Sequence, residues 1–361
     1  MNTKENRKMP SFVGPLAAVV VLSVVLTVVS RQFLTLDNWM NILRQTAINA
    51  LVSCGMLMVL LTGGIDISVG ASVALSSCSM GVAMQHGVKK PILLILIALL
   101  AGFLCGGFNG LLLTKLKLPH PFASTLGARQ IFRGLALFIT GAAPIAGFPC
   151  GVTFLGYQNL GAVNFPLCFL VVVLIFAVMS LFLNRSALGR KIYSVGGNRK
   201  AARLSGVNVS RTLNFVYIMA GIMCALAGIV LVGRVGTALP LAGETYDTDA
   251  IAACVIGGAS FAGGKGTVSG TLCGALLIAV IRNGLNLISA QTDVQYIVIG
   301  AVVIMAVFID IVRGNAEARS RRFAMAQKRR NNLFFSPVGA AARRTLCRRI
   351  FSGGKMCRPV F

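Results

Sequence analysis

Charged residues, and acids above all, are scarce in this sequence. Of its 361 residues only 12% are charged and nine are acidic, whereas 56% are hydrophobic; soluble domains carry about 25% charged residues. A soluble fold cannot bury so much apolar surface, so a multi-pass membrane protein is predicted. The two histidines and the ten singly scattered cysteines, with no CxxC pair, predict neither a metal site nor a disulfide framework.

The few charges are strongly unbalanced, giving a formal net charge of +25. The basic residues lie at the N-terminus, in one loop and in the tail 313–361, between and beyond the apolar runs. This distribution favours contact with anionic lipid headgroups over nucleic acid. The expected surroundings are therefore a lipid bilayer, with no nucleic-acid partner.

The hydrophobic runs predict an all-α polytopic protein, because about 20 apolar residues cross roughly 30 Å of hydrocarbon. We predict about ten transmembrane helices (a range of eight to ten) within a permease domain of residues 12–312. The segments are Phe12–Val29, Thr46–Leu61, Ser68–Met84, Pro91–Leu113, Phe122–Thr140, Phe165–Leu183, Thr212–Val232, Ala250–Phe261, Gly266–Leu287 and Val294–Ile311.

Basic loops are retained on the cytoplasmic side during insertion. This rule places both termini in the cytoplasm: residues 1–11 as a short N-terminus and 313–361 as a basic, disordered tail. It also places the loop 184–211 there, since that loop carries seven basic residues and no acid. Gly236–Asp249 then lies outside, with Glu244, Asp247 and Asp249, where a soluble partner can dock. Lys89 and Lys90 are discordant, since they also fall outside.

The loop 184–211 contains a short predicted helix, Arg199–Ser205. Gly197 and Asn198 precede this helix, and Asn198 can cap its start. Gly206 can end the helix, because glycine readily adopts the left-handed conformation. Ala201 and Ala202, with Leu204, give it a small face that can fit a partner. The simpler alternative is a solvated positive loop that only fixes topology.

Three further patterns stand out. Gly63, Gly64, Asp66 and Ser68 form a turn in which Asp66 caps the third span or carries a proton. Two GxxxGxxxG patterns predict close helix packing: Gly102, Gly106 and Gly110, and Gly266, Gly270 and Gly274. Arg133, one turn after Arg129, is too deep in the fifth span to face lipid, whereas Arg129 can reach the cytoplasmic edge.

Four ordered motifs resemble the ribose-permease-like family of sugar-type ABC transporter permeases. They are GGIDISVGA from residue 63, LPHPFASTLG from residue 118 with Arg133-Gly134, GGNRKAARLSG from residue 196, and AIAA from residue 250 continuing through GG, GGKG and NGLN. The resemblance covers roughly residues 40–312. Asp247-Thr248-Asp249, His120, Arg129 and the basic tail depart from the family pattern.

The resemblance implies the membrane subunit of an importer in the bacterial inner membrane that moves a monosaccharide by alternating access. Implied partners are a second permease subunit, a periplasmic sugar-binding protein and a cytoplasmic ABC ATPase that docks on the helix in 198–206. The stretch Ala259–Gly266 lacks the residues of a phosphate-binding loop, so the ATPase subunit hydrolyses the ATP and this chain binds no cofactor.

A neutral sugar needs hydrogen-bonding groups along its pathway. The candidates are Asn109, Arg133, Asn283, Asn286 and Gln295. Two other functions remain open: a branched-chain amino-acid ABC permease, and a proton-coupled secondary transporter that uses Asp66 and Arg133 as coupled charges. No base, metal or nucleophile constellation predicts an enzyme.

Overall fold

The computed structural model describes residues 12–116, 118, 121–161 and 164–312. The predicted N-terminus 1–11 and tail 313–361 lie outside these residues. The chain divides into a compact unit ending at Val307 and a second unit beginning at Phe308. Of the second unit, the described part is the last turn of a helix, residues 308–312.

The described chain is mostly helical. Its helices are α1 Val13–Val29, a 3-10 helix Arg31–Leu34, α2 Leu36–Leu61, α3 Val69–Gln85, α4 Pro91–Thr114, α5 Pro121–Thr140, α6 Cys150–Tyr157, α7 Leu167–Arg185, α8 Ala187–Gly197, α9 Arg199–Leu204, α10 Val209–Val235, α11 Tyr246–Ile256, α12 Val268–Leu287 and α13 Thr292–Val312.

Four two-residue strands qualify the all-α prediction. β1 (Ile145–Ala146) pairs antiparallel with β4 (Thr237–Ala238), and β2 (Asn159–Leu160) pairs antiparallel with β3 (Phe165–Pro166). The first pair joins the loops after α5 and α10, the second closes the loop between α6 and α7, and the helical class is unchanged.

Among the described residues, six helices are long and apolar enough to cross a membrane: α2, α4, α7, α10, α12 and α13. A polytopic architecture is thus confirmed in its coarse form. The apolar helices α1 and α3 have 17 residues each, and α5 has 20 but carries two arginines. The number of spans and the side of each terminus stay predictions.

Two predicted spans need correction. The eighth, Ala250–Phe261, is wrong, because α11 has 11 residues and a helix of that length extends only about 16 Å. The second begins at Leu36 and not at Thr46. Polar residues in its first turns pack against the chain itself, and this contact extends the helix beyond its apolar core.

Helix α10 lies at the centre and packs against α4, α2 and α3. Its contact with α4 follows the first GxxxGxxxG pattern. A methyl group on Gly102 would collide with the Gly221 carbonyl oxygen, and one on Gly106 with the Tyr217 carbonyl oxygen. Gly110 lies against Asn214, where an added methyl group would come within 2.8 Å of the side-chain oxygen. The small residues therefore let the two backbones touch, which is the usual route to tight helix packing in lipid.

The second GxxxGxxxG pattern is only partly helical. Gly266 precedes α12, which begins at Val268. Gly270 and Gly274 lie in the helix and press against the backbone of Gly257 and Ala253 near the end of α11. Thr267 caps α12 by accepting from Gly270 N, and this cap fixes the start of the helix after Gly266.

Candidate functional site

The end of the bundle that carries α8 and α9, called here the basic end, contains the predicted short helix. Asn198 caps α9, its side-chain oxygen accepting from Ala201 N at 3.0 Å. The helix ends at Leu204, one residue earlier than predicted, and Gly206 follows with a φ of +80°. Gly197 is the last residue of α8. The sequence therefore set both ends of α9 to within one residue.

The prediction that Ala201, Ala202 and Leu204 together face a partner needs correction. Ala202 is 5% exposed and packs with Val195, Val209 and Leu213. A six-residue helix is unstable alone and needs such a surface to lie on. Ala201 is exposed, and Leu204 is 90% exposed. The surface available to a partner is therefore Ala201 and Leu204 among basic residues, without Ala202.

Three of the sequence motifs meet at the basic end. Gly264 N donates to the Leu61 carbonyl oxygen at 2.9 Å, and Gly196 lies against the same oxygen. Arg199 Nη2 donates to the Thr62 carbonyl oxygen at 3.2 Å. Helix α9 is thus bonded to the residue after α2, and the loop before α12 is bonded to the last residue of α2.

A third hydrogen bond strengthens this junction. Tyr193 Oη donates to the Gly266 carbonyl oxygen at 2.9 Å. Burial raises the pKa of Tyr193 above its ordinary value, which keeps the hydroxyl protonated as a donor. Tyr193 therefore joins α8 to the residue two positions before the start of α12.

The Asp66 turn forms a buried polar cluster between α2 and α3. Asp66 Oδ1 accepts from Ser68 N at 2.9 Å and from Ser68 Oγ at 2.6 Å. Asn109 Nδ2 donates to Ser68 Oγ at 2.7 Å and to Asp66 Oδ2 at 3.3 Å. Because α3 starts at Val69, Asp66 organises the turn before the helix. Gly63 begins that turn with a φ of +73°, and Gly64 lies against the Tyr217 hydroxyl.

The two arginines of α5 bind the segment between β4 and α11. Arg133 Nη1 donates to the carbonyl oxygens of Pro240 and Ala242 at 2.7 and 2.8 Å. Arg129 forms an ion pair with Asp247 at 3.1 Å. The sequence led us to expect Arg129 at the cytoplasmic edge, but its guanidinium pairs with Asp247 instead. Arg133 uses its donors on backbone oxygens and not on Asp66.

A second ion pair lies inside the bundle. Arg282 of α12 contacts Asp249 through two bonds, Nε to Oδ2 at 2.7 Å and Nη2 to Oδ1 at 2.8 Å. Asp247 and Asp249 are 4% and 1% exposed. The expectation that these two acids are available to a docking partner is wrong. Both lie in the first turn of α11 and form ion pairs with arginines of α5 and α12. Glu244 alone of the three is exposed.

The five predicted pathway residues do not form one site. Asn109 belongs to the Asp66 turn, and Asn283 exchanges two side-chain hydrogen bonds with Asn38, at 2.7 and 3.0 Å. Gln295 donates to Asn286 Oδ1 at 2.9 Å. Asn283 thus joins α12 to α2.

Two of the five residues do line cavities. Arg133 lines a cavity of 320 Å³ together with Arg129, Gln130, Leu241 and Glu244. Gln295 lines another of 220 Å³, which also borders Glu244. Glu244 therefore lies between the two.

Gln130, Glu244 and Arg282 are polar residues that the sequence reasoning passed over as pathway candidates. A signal for Arg282 was available, since an ionisable residue inside an apolar helix marks a protein-facing or watery position, as it did for Arg133. Gln130 carried no such signal. It follows Arg129 by one residue, and only the packing of α5 shows that its side chain is exposed.

Comparison with known proteins supports a transport role. Residues 38–307 match the family model described as "Branched-chain amino acid transport system / permease component". The ribose import permease of Bacillus subtilis (strain 168) is 42% identical over 300 residues, which cover 82% of this chain and 92% of that protein. No solved structure matches the chain.

Two other relatives show the same extent of similarity. The ribose import permease of Escherichia coli (strain K12) is 38% identical and covers 82% of this chain and 92% of its own length. The fructose import permease of Rhizobium meliloti is 38% identical and covers 81% of this chain and 83% of its own length. The chain therefore belongs to the family of transport-system permease components that includes these import permeases.

Proposed function

We propose that this chain is the membrane-spanning subunit of an ABC importer that carries a monosaccharide inward across the bacterial inner membrane. It works with a second permease subunit, a periplasmic sugar-binding protein and a cytoplasmic ATPase. The chain itself binds no cofactor, and the ATPase subunit binds and hydrolyses ATP. Transport proceeds by alternating access.

The observation that carries this proposal is the similarity to ribose and fructose import permeases over more than four fifths of the chain. Similarity of this extent leaves little of the transport domain unmatched. The description of the family model refers to branched-chain amino acids. The relatives, however, are named as importers of ribose or fructose. A monosaccharide is therefore the substrate that we favour.

The basic end supports the ATPase as a partner. Helix α9 presents the exposed Leu204 among Arg203, Lys200 and Arg199, an apolar residue within a positive surface. The bonds from Arg199 to Thr62 and from Tyr193 to Gly266 give a rigid route from that surface to α2 and α12. We propose that the ATPase moves α8 and α9 together and that these bonds carry the motion inward.

The test is uptake into vesicles that contain the permease, its ATPase and internal ATP, supplied with the binding protein encoded beside it. We expect labelled ribose or a hexose to enter only with ATP, and an uncoupler to leave the rate unchanged. Entry of leucine in place of sugar would identify an amino-acid permease. Uptake that an uncoupler abolishes without ATP would identify a proton-coupled transporter.

A further inference from the structure

The non-helical segment 239–245 lies at mid-depth of the bundle. Helix α5 has 20 residues and is therefore about 30 Å long, close to the thickness of the hydrocarbon core. Arg129 and Arg133 lie about 12 and 18 Å from its first residue at 1.5 Å per residue. Because they bind the Glu244, Pro240 and Ala242 carbonyl oxygens, the segment lies at that same depth.

Backbone without helical hydrogen bonds is tolerated at this depth only if it is buried in protein or lines a water-filled cavity. The segment is only partly buried in its own chain, with Pro240 buried and residues 241 and 244 exposed. Leu241 is 63% exposed, and Glu244 is exposed beside Gln130 of α5. One side of this segment must therefore face water or another protein surface.

The exposed faces of other helices at comparable depth are different. Leu100 in the middle of α4 is 56% exposed, and Leu174 in the middle of α7 is 64% exposed. Such apolar faces suit lipid. The carboxylate of Glu244 and the amide of Gln130 do not, because ionisable and polar groups within a membrane face the interior or a watery cavity.

The two cavities that meet at Glu244 suit a small polar solute. The larger, of 320 Å³, is within the usual range of about 300–1,000 Å³ for small-molecule sites. Its lining offers guanidinium donors from Arg129 and Arg133, an acceptor from Glu244, and both from Gln130. In the smaller cavity, Tyr296 adds an aromatic face. A mixture of donors and acceptors matches hydroxyl groups, which both donate and accept.

We infer that α5 and the segment Leu241–Glu244 line the water-filled passage for a neutral, polyhydroxylated solute, and that Gln130 and Glu244 hydrogen-bond to its hydroxyl groups. The identity of the solute rests on the proposed function. Arg129 and Arg133 hold the segment against α5 and so keep Glu244 opposite Gln130.

The first experiment measures exposure to water. Gln130→Cys and Glu244→Cys are made in a chain with Cys150, Cys273, Cys347 and Cys357 replaced by serine, and membranes are treated with a membrane-impermeant sulfonated methanethiosulfonate. We expect both to react in at least one nucleotide state, because the thiolate reacts only in water. Leu174→Cys is the lipid-facing control and should not react. Protection of both new cysteines in every nucleotide state would overturn the inference in favour of a sealed subunit interface.

The second experiment measures contact with the solute. In the vesicles described above, Gln130→Ala and Glu244→Gln should each lower sugar uptake about tenfold, the equivalent of about 1.4 kcal/mol. The amount of permease in the membrane and the binding of ATPase should not change. The matched controls Gln85→Ala and Asp37→Asn alter exposed residues elsewhere and should transport normally.

The outcomes separate the two proposals. If the unmodified protein carries sugar and both Gln130→Ala and Glu244→Gln take it up at the same rate, this inference alone is overturned. A wild-type protein that carries no sugar, while the two cysteines still react, would overturn the proposed substrate and leave the passage itself supported.

Discussion

At the residue scale, the contact between α4 and α10 depends on glycine at particular positions. Gly106 meets the backbone of Tyr217 and Ile218, whereas a side chain on the adjacent Gly107 would find open space. Neighbouring glycines of one helix therefore differ in how much space a side chain would have, because only one face of α4 approaches α10 closely. Such contact gains dispersion energy that lipid tails cannot supply.

We predict that Gly106→Leu disrupts the protein and that Gly107→Leu does not. The leucine at 106 must displace α10, and overpacking costs about 1–3 kcal/mol or more. The measurement is the amount of protein in the membrane and its thermal inactivation in detergent. Gly107→Leu is the matched control, with the same change one residue away. Equal stability of the two variants would show that α4 and α10 are not in backbone contact.

At the scale of the element, α9 is organised by an inward side and an outward side. Ala202 faces Val195 and Leu213, while Leu204 projects from the surface. Two substitutions on a six-residue helix should therefore have different consequences. A change on the inner side disturbs folding of the basic end, and a change on the outer side disturbs only a partner.

We predict that Leu204→Ala weakens ATPase binding by about 30-fold. Removing its terminal carbons from an interface costs about 2 kcal/mol, and 1.4 kcal/mol corresponds to tenfold. Ala201→Trp, on the same exposed side, should also uncouple transport, whereas Ala202→Trp should lower the amount of folded protein. Binding is measured on purified permease in lipid nanodiscs.

Lys200→Gln is the control for Leu204→Ala, because an exposed ion pair contributes only about 0–1 kcal/mol. Its effect on ATPase binding should be small. If Leu204→Ala and Ala201→Trp both bind ATPase like the wild type, the loop is only a topology signal.

At the scale of the whole molecule, the sequence predicts that transport resides in residues 12–312. We expect a chain ending at Gly314 to insert and to carry substrate, because the residues beyond it lack apolar periodicity and family resemblance. The measurement is membrane content and uptake beside the full chain. A truncated form that is stable and inactive would assign the tail a role in coupling.

The sequence by itself determined the membrane class, most helix positions and the family. Long apolar runs admit few alternatives, since a chain in lipid must satisfy its backbone within helices. Local chemistry also set the ends of α9, because the Asn198 cap and Gly206 act within a few residues. The substitution-sensitive face of α4 was likewise visible in the spacing of Gly102, Gly106 and Gly110.

Only the tertiary structure decided what each polar residue does. Asp249 looked available for docking, but it lies against Arg282, 33 positions later in the chain. Asn283 has the residue type of a pathway residue, but its side chain is bonded to Asn38 of α2. Gln130 and Glu244 are far apart in the chain but line the same cavity, beside Arg129 and Arg133. Hydropathy and spacing record neighbours along the chain, whereas a cavity is defined by neighbours across it, which is why the cavity beside Glu244 is visible only in the packed helices.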